Sequence, residues 1–128
     1  MHLYLQKNAP DTVRRGLRHL TGLRVVAITN PDLDPTKQVF VTVQDAGTPS
    51  RGLATSRENV HVSVYGPSEP KVREVLTHID GLLLSREIPW GFYMEPAGGL
   101  LVTKDDETGG FVGSTTVIAA SPKNERIY

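Results

Sequence analysis

The chain contains no cysteine. It therefore has no disulfide framework, no thiolate metal site and no thiol nucleophile, an absence that fits a reducing compartment. Net charge is missing too. Fourteen lysines and arginines balance fourteen aspartates and glutamates, so no overall field steers the protein toward nucleic acid or an anionic membrane. No apolar run approaches the ~18 residues of a membrane span, and the opening MHLYLQKNAPD has no apolar stretch of signal-sequence length. A soluble, intracellular protein with no membrane partner is expected. The histidines, His2, His19, His61 and His78, show no metal-ligand spacing, and no serine lies in a G-x-S-x-G elbow.

What is present is a globular composition, 38% hydrophobic and 22% charged over 128 residues. That size suits a single domain, residues 1–128, able to bury roughly two thirds of the surface its unfolded chain exposes. PDTVRRGLRHLTG spaces Val13, Leu17 and Leu20 as one helical face, with Pro10 suited to the first turn and Gly22 to the stop. Arg14, Arg15 and Arg18 occupy its other faces as a solvated basic surface. LRVVAIT is a short strand closed by the turn residues NPDLDPT. QVFVTVQ and ENVHVSVYG alternate with period two and are expected to pair antiparallel.

GPSEPKVREVLTHIDGLLLS predicts a helix from Glu69 to Leu84, capped by Ser68, with Val72, Val75, Leu76, Ile79, Leu82 and Leu83 as its apolar stripe. Gly81 marks an early end or a close packing contact there. GFYME follows, and Leu100–Ala120 reads as a terminal hairpin turning at Asp105–Gly110. Trp90 is best placed as a core plug between helix and strand. The implied class is α+β: an antiparallel-dominated or mixed sheet with two helices packed on one face. Residues 1–9 and 122–128 are expected to be flexible or ordered by assembly.

Between the two alternating strands lies DAGTPSRGLATSRE, far longer than the two to five residues usual for a hairpin loop. Gly47 and Gly52 copy the first half of the phosphate-binding pattern G-x-x-x-x-G-K-[ST]. Leu53 and Ala54 stand where lysine and a hydroxyl are required, and the stretch runs into a strand instead of a helix, so phosphate binding is set aside. The alternative is a contact arm, with Arg51 and Arg57 as its strongly interacting side chains and Gly47, Pro49 and Gly52 shaping it. Carboxylates cluster at Asp32 and Asp34 and at Asp105, Asp106 and Glu107, neither with calcium-loop spacing. The first cluster is turn chemistry. The second is an acidic hairpin tip, either solvated or facing another macromolecule.

The succession of TGLRVVAITNPDLDPTKQVFVTVQDAGTP, ENVHVSVYGPSEPKVREVLTHIDGLLLS and the β-rich end resembles the tail terminator (head-to-tail joining, minor tail) proteins of long-tailed bacteriophages, over residues 10 to 121. The chain departs from that pattern in the residues before its first helix and in the tail PKNERIY. The resemblance implies a non-enzymatic virion protein without cofactor or metal, assembled in the host cytoplasm as a hexameric ring on the tail tube. Its partners would be the tail tube protein and a head-completion or neck protein, with DNA crossing the lumen unbound. Arg51, Arg57, Gly47, Pro49 and Gly52 would then meet a neighbouring subunit or the tube, and Asp105, Asp106 and Glu107 would face the lumen. Two other readings stand beside it: another neck or head-completion protein, and a small ferredoxin-like oligomeric enzyme in which Arg57, His61 and Tyr65 share a cleft.

Overall fold

The computed structural model describes residues 1–48 and 50–127, with the backbone alone for Ser50 and Arg51. Helix α1 (Ala9–Thr21) starts where the Asn8 side chain accepts a hydrogen bond from the Asp11 amide and ends at Gly22, whose φ of 68° admits the left-handed cap. Val13 and Leu17 are fully buried, but Leu20, one turn on, is 40% exposed. Two of its arginines do more than solvate a surface. Arg14 Nη1 donates to the Val43 carbonyl at 2.8 Å and Arg18 Nε to the Val25 carbonyl at 2.9 Å, tying the helix to the strands beneath it.

Helix α2 (Glu69–Leu84) begins at Ser68, which accepts from the Lys71 amide, and its sixteen residues span about 24 Å. Val72, Leu76, Ile79 and Leu83 are buried, while Val75 and Leu82 flank them half-exposed. Gly81 neither ends the helix nor packs closely: α2 continues to Leu84, and a Cβ at Gly81 would meet nothing within 4 Å.

Both helices cover one face of a 7-stranded sheet. Its strands are β2 (Arg24–Val26), β3 (Phe40–Asp45), β4 (Ser50–Arg51), β5 (Thr55–Gly66), β6 (Tyr93–Pro96), β7 (Leu101–Lys104) and β8 (Phe111–Pro122). Along the main path the order is β2-β3-β5-β8-β6, with β4 added to β5 and β7 to β8. Every pairing is antiparallel except β2 with β3, so the sheet is mixed and the class α+β. The register Val41↔Val64, Val43↔Val62 and Val60↔Val117 stacks the alternating valines on the helix-covered face. These valines join Leu17, Leu76, Ile79 and Leu83 in one buried cluster, at roughly 1.5–3 kcal/mol per buried aliphatic side chain. Trp90 plugs the end of that core, its Nε1 donating to the Leu82 carbonyl at 3.0 Å.

Two features depart from the sequence expectation. The ends of the chain pair with each other: β1 (His2–Leu5) runs antiparallel to β9 (Asn124–Ile127) in a separate two-stranded ribbon, with His2 Nδ1 2.6 Å from Glu125 Oε1. Strand β5 also begins earlier than its alternating valines indicate. Thr55, Ser56, Arg57 and Glu58 belong to it, because β8 pairs with β5 along its whole length from Thr55↔Pro122 to Gly66↔Phe111. Among the described residues no helix is long and apolar enough to cross a membrane.

Candidate interface: an exposed arm and an acidic cleft

With β5 starting at Thr55, the excursion after β3 contracts to Ala46–Ala54 and becomes a built arm. Asp45 Oδ1 accepts from the Gly47 amide at 2.8 Å, and Gly47, at φ 104°, takes a conformation that residues with a Cβ rarely adopt. The Ala46 amide donates to the Asn59 carbonyl and the Asn59 amide to the Gly47 carbonyl, both at 2.8 Å, which sets the arm alongside β5. Beyond that, β4 returns onto β5 through Ser50↔Arg57 and Arg51↔Ser56. Gly52 closes the tip: its amide donates to the Thr55 carbonyl at 2.9 Å, and a Cβ there would lie 2.9 Å from the Thr55 hydroxyl. Leu53 is left at the turn, 82% exposed.

The expected contact residues separate on this geometry. Gly47 and Gly52 shape the arm as anticipated; Pro49 and the Arg51 side chain lie outside the described structure. Arg57 is not on the arm. It belongs to β5, where its guanidinium donates to Glu95 Oε2 of β6 at 2.9 Å, an ion pair within the chain. Arg57, His61 and Tyr65 do share the sheet face away from the helices, but four residues of strand put about 14 Å between neighbours. Each has its own partner, since His61 Nδ1 lies 2.9 Å from the Thr116 hydroxyl and Tyr65 stacks on Phe40. They form no common cleft.

The two acidic clusters, distant in sequence, meet at the far end of the sheet. The turn after β7 is held by Asp105, whose carboxylate accepts from the Glu107 amide at 3.2 Å and the Thr108 hydroxyl at 2.7 Å. It packs onto the turn before β3 so closely that a Cβ on Gly110 would lie 2.8 Å from Pro35 Cβ. Between the two turns opens a cleft of about 400 Å³, floored by the stacked rings of Phe40 and Tyr65, whose centroids are 4.8 Å apart, and edged by Pro31, Asp34, Asp105 and Glu107. Asp106 stands outside this lining.

The electrostatics of the cleft are negative. Burial, and then the charges of Asp105 and Glu107, push the Tyr65 phenol above its ordinary value. The Asp34 carboxyl is held below its ordinary value by hydrogen bonds from the Thr36 hydroxyl and amide, so it stays ionised. Asp34 and Asp105 are partly satisfied by these turns, whereas the Glu107 carboxylate accepts no hydrogen bond from any described residue. Both acidic clusters are legible in the sequence, but their meeting depends on the packing of two turns some seventy residues apart, for which there is no local signal.

A second feature had no sequence signal. Ser56, Glu58 and Ser121 are buried on the helix-side face of β5 and β8, Glu58 only 3% exposed, and Ser56 Oγ, Glu58 Oε2 and Ser121 Oγ have no hydrogen-bond partner among the described residues. Ser56 sits directly opposite Ser121, and Glu58 is two residues along the same face. They take positions where the alternation calls for valine, so the alternating pattern does not mark the start of β5 at Thr55. Among the described residues no three His, Asp or Glu side chains converge to hold a metal. No protein-family model and no curated protein matches the sequence.

Proposed function

We propose that the protein is a structural virion component that assembles as a ring at the end of a phage tail tube, stops tube polymerisation and joins tail to head. The order of its elements supports the class through the resemblance described above. Support for assembly comes from one observation, the terminal ribbon. All eight residues of β1 and β9 are exposed, including Leu3, Tyr4, Leu5 and Ile127. A two-stranded ribbon with nothing over it is marginal at best in water. A neighbouring subunit or the tail tube, laid over the ribbon, removes these side chains from water and makes the pairing durable.

The arm lies at the same end of the molecule. Gln6 Nε2 donates to the Thr48 hydroxyl at 3.1 Å and the Lys123 amide to the Ala54 carbonyl, so the roots of both terminal strands border the arm. Ribbon and arm together make one contact surface at one end of the sheet. A closed ring needs heterologous contacts, in which different patches on each copy meet. Of the three acids expected at the lumen, Asp106, exposed and outside the cleft, is the one kept for repelling DNA phosphates.

The test is the state of purified protein, alone and with tail tube protein from the same genome, followed by light scattering and negative-stain microscopy. Six-fold rings or capped tubes are expected. Discrete dimers that never cap or shorten tubes would refute the reading. Rings that bind portal-side neck proteins but leave tube length unchanged would move it to a head-completion role.

A further inference from the structure

Strand β5 presents valines to the helices, Val60, Val62 and Val64, along only part of its length. Toward the arm the same row continues as Glu58 and then Ser56, with Ser121 of β8 directly across from Ser56. All three side chains are more than nine-tenths buried, and Ser56 Oγ, Glu58 Oε2 and Ser121 Oγ have no hydrogen-bond partner among the described residues. We propose that these three oxygens bind a small monovalent cation, of which sodium is the type. The site is independent of the ring reading.

The register sets the three donors side by side. Residues directly opposite on one face of an antiparallel pair have Cβ atoms about 4.5–5.5 Å apart, which is the relation of Ser56 to Ser121. Glu58 stands two residues, about 7 Å, further along the same face, a step that a glutamate side chain can bridge. The next row packs Val60 against Val117, whereas here Glu58 faces Ala119 and Ser56 faces Ser121, so the side chains of β8 are short beside the carboxylate. Thr55 and Pro122, the pair that ends the ladder, are exposed and give an ion a short way in.

Charge and ligand type select the guest. A carboxylate buried without a counter-charge is unfavourable, and no described lysine or arginine supplies one. Arg57, next along β5, points to the other face and pairs with Glu95, and Lys123, two residues beyond Ser121, makes no ion pair with Glu58. A water in this place would satisfy the hydroxyls and leave the charge; a proton would remove the charge and leave the hydroxyls. A cation takes lone pairs from two hydroxyls and a carboxylate oxygen and cancels the charge as well. All three donors are hard oxygens, the ligands of alkali and alkaline-earth ions, and one carboxylate balances one positive charge but leaves a divalent ion half-compensated. Bound there, the ion fastens β5 to β8 at the end where the arm and the terminal strand leave the sheet, beside the bond from the Lys123 amide to the Ala54 carbonyl.

The test is thermal unfolding of the purified protein, at one protein concentration, as sodium chloride replaces choline chloride at constant ionic strength. Sodium NMR line widths give a direct readout of binding. The wild-type midpoint is expected to rise with sodium and saturate, because an ion that binds only the folded state stabilises it by mass action, and the sodium line should broaden. Glu58→Gln should abolish both effects, and Ser56→Ala or Ser121→Ala should raise the half-saturating sodium concentration roughly tenfold or more. Circular dichroism checks that each variant folds; where Glu58→Gln does not, the serine variants carry the test, and an unshifted sodium dependence in both overturns the site. Equal wild-type midpoints in the two salts, the result that an ordered water or a protonated Glu58 gives, also overturn it, as does a sodium dependence that Glu58→Gln keeps. Stabilisation by calcium chloride with none by sodium chloride overturns the monovalent assignment.

Discussion

Two helix-interior glycines, Gly16 and Gly81, should respond to the same substitution with opposite signs. Replacing glycine by alanine inside a helix gains about 0.5–1 kcal/mol from propensity and backbone entropy. At Gly81 nothing opposes that gain, since a Cβ there meets no atom within 4 Å. At Gly16 the new methyl would lie 2.8 Å from Trp90 Cη2 and closer still to Cζ3, well inside the 3.5–4.0 Å of ordinary carbon contact. The indole has little freedom to move away, because it is buried and its Nε1 is bonded to the Leu82 carbonyl. Overpacking of this kind costs about 1–3 kcal/mol, and shifting the ring far enough to relieve it forfeits a hydrogen bond of about 0.5–1.5 kcal/mol. Gly16→Ala should thus lose about 1–3 kcal/mol net while Gly81→Ala gains about 0.5–1.

The assay is denaturant unfolding followed by the fluorescence of Trp90, the only tryptophan, with circular dichroism as a second probe. Midpoints should move in opposite directions at unchanged slope, since neither change alters the surface exposed on unfolding. Protein concentration is held fixed, so that any self-association adds the same stability by mass action to every variant. The emission of Gly16→Ala should also differ from wild type before denaturant is added, as its indole has been displaced. A Gly16→Ala protein as stable as wild type, or more so, refutes the argument that α1 and Trp90 meet in a contact only glycine allows.

Other consequences are open to measurement. The phenolate absorbance that disappears on Tyr65→Phe should titrate above pH 10, and Glu107→Gln should bring it part of the way back. In sign, a phenol raised in the folded state contributes stability fully present below the unfolded value of about 10 and lost as pH rises through the higher folded value; a normal titration of that absorbance removes the buried, acid-lined setting. With choline as the only added cation, Ser56→Ala and Ser121→Ala should each be neutral or stabilising by up to about 1 kcal/mol, since each deletes a buried hydroxyl without a partner among the described residues. A clear loss in denaturant melts would mean that these hydroxyls are satisfied in solution. Deleting arm residues up to Leu53 should leave the thermal midpoint of the dilute monomer nearly unchanged, whereas a deletion running on through Ser56 should lower it, because it removes the first two residues of β5.

The valine alternations of β3 and β5, the capped stripe of α2, the terminal hairpin and the placement of Trp90 were all legible in the sequence. Each is a local pattern, in which side-chain period and nearby turn residues suffice to determine the element. The start of β5 at Thr55 is not legible there for the complementary reason: Ser56, a polar residue facing inward, breaks the period, and only β8 lying alongside holds it in a strand. The parallel pairing of β2 with β3 and the ribbon joining His2–Leu5 to Asn124–Ile127 likewise depend on partners that no local period encodes.

At the candidate site, the ingredients are local and readable from the residues: a glycine-shaped arm carrying Leu53, and two acidic turns. Their use depends on the folded chain. It put Arg57 in an ion pair with Glu95, joined Asp34 to Asp105 and Glu107 around the Phe40–Tyr65 stack, and set arm and cleft at opposite ends of one long strand. The physical reason is that charge and shape become a binding surface only through contacts between distant segments, and those follow from strand order and register.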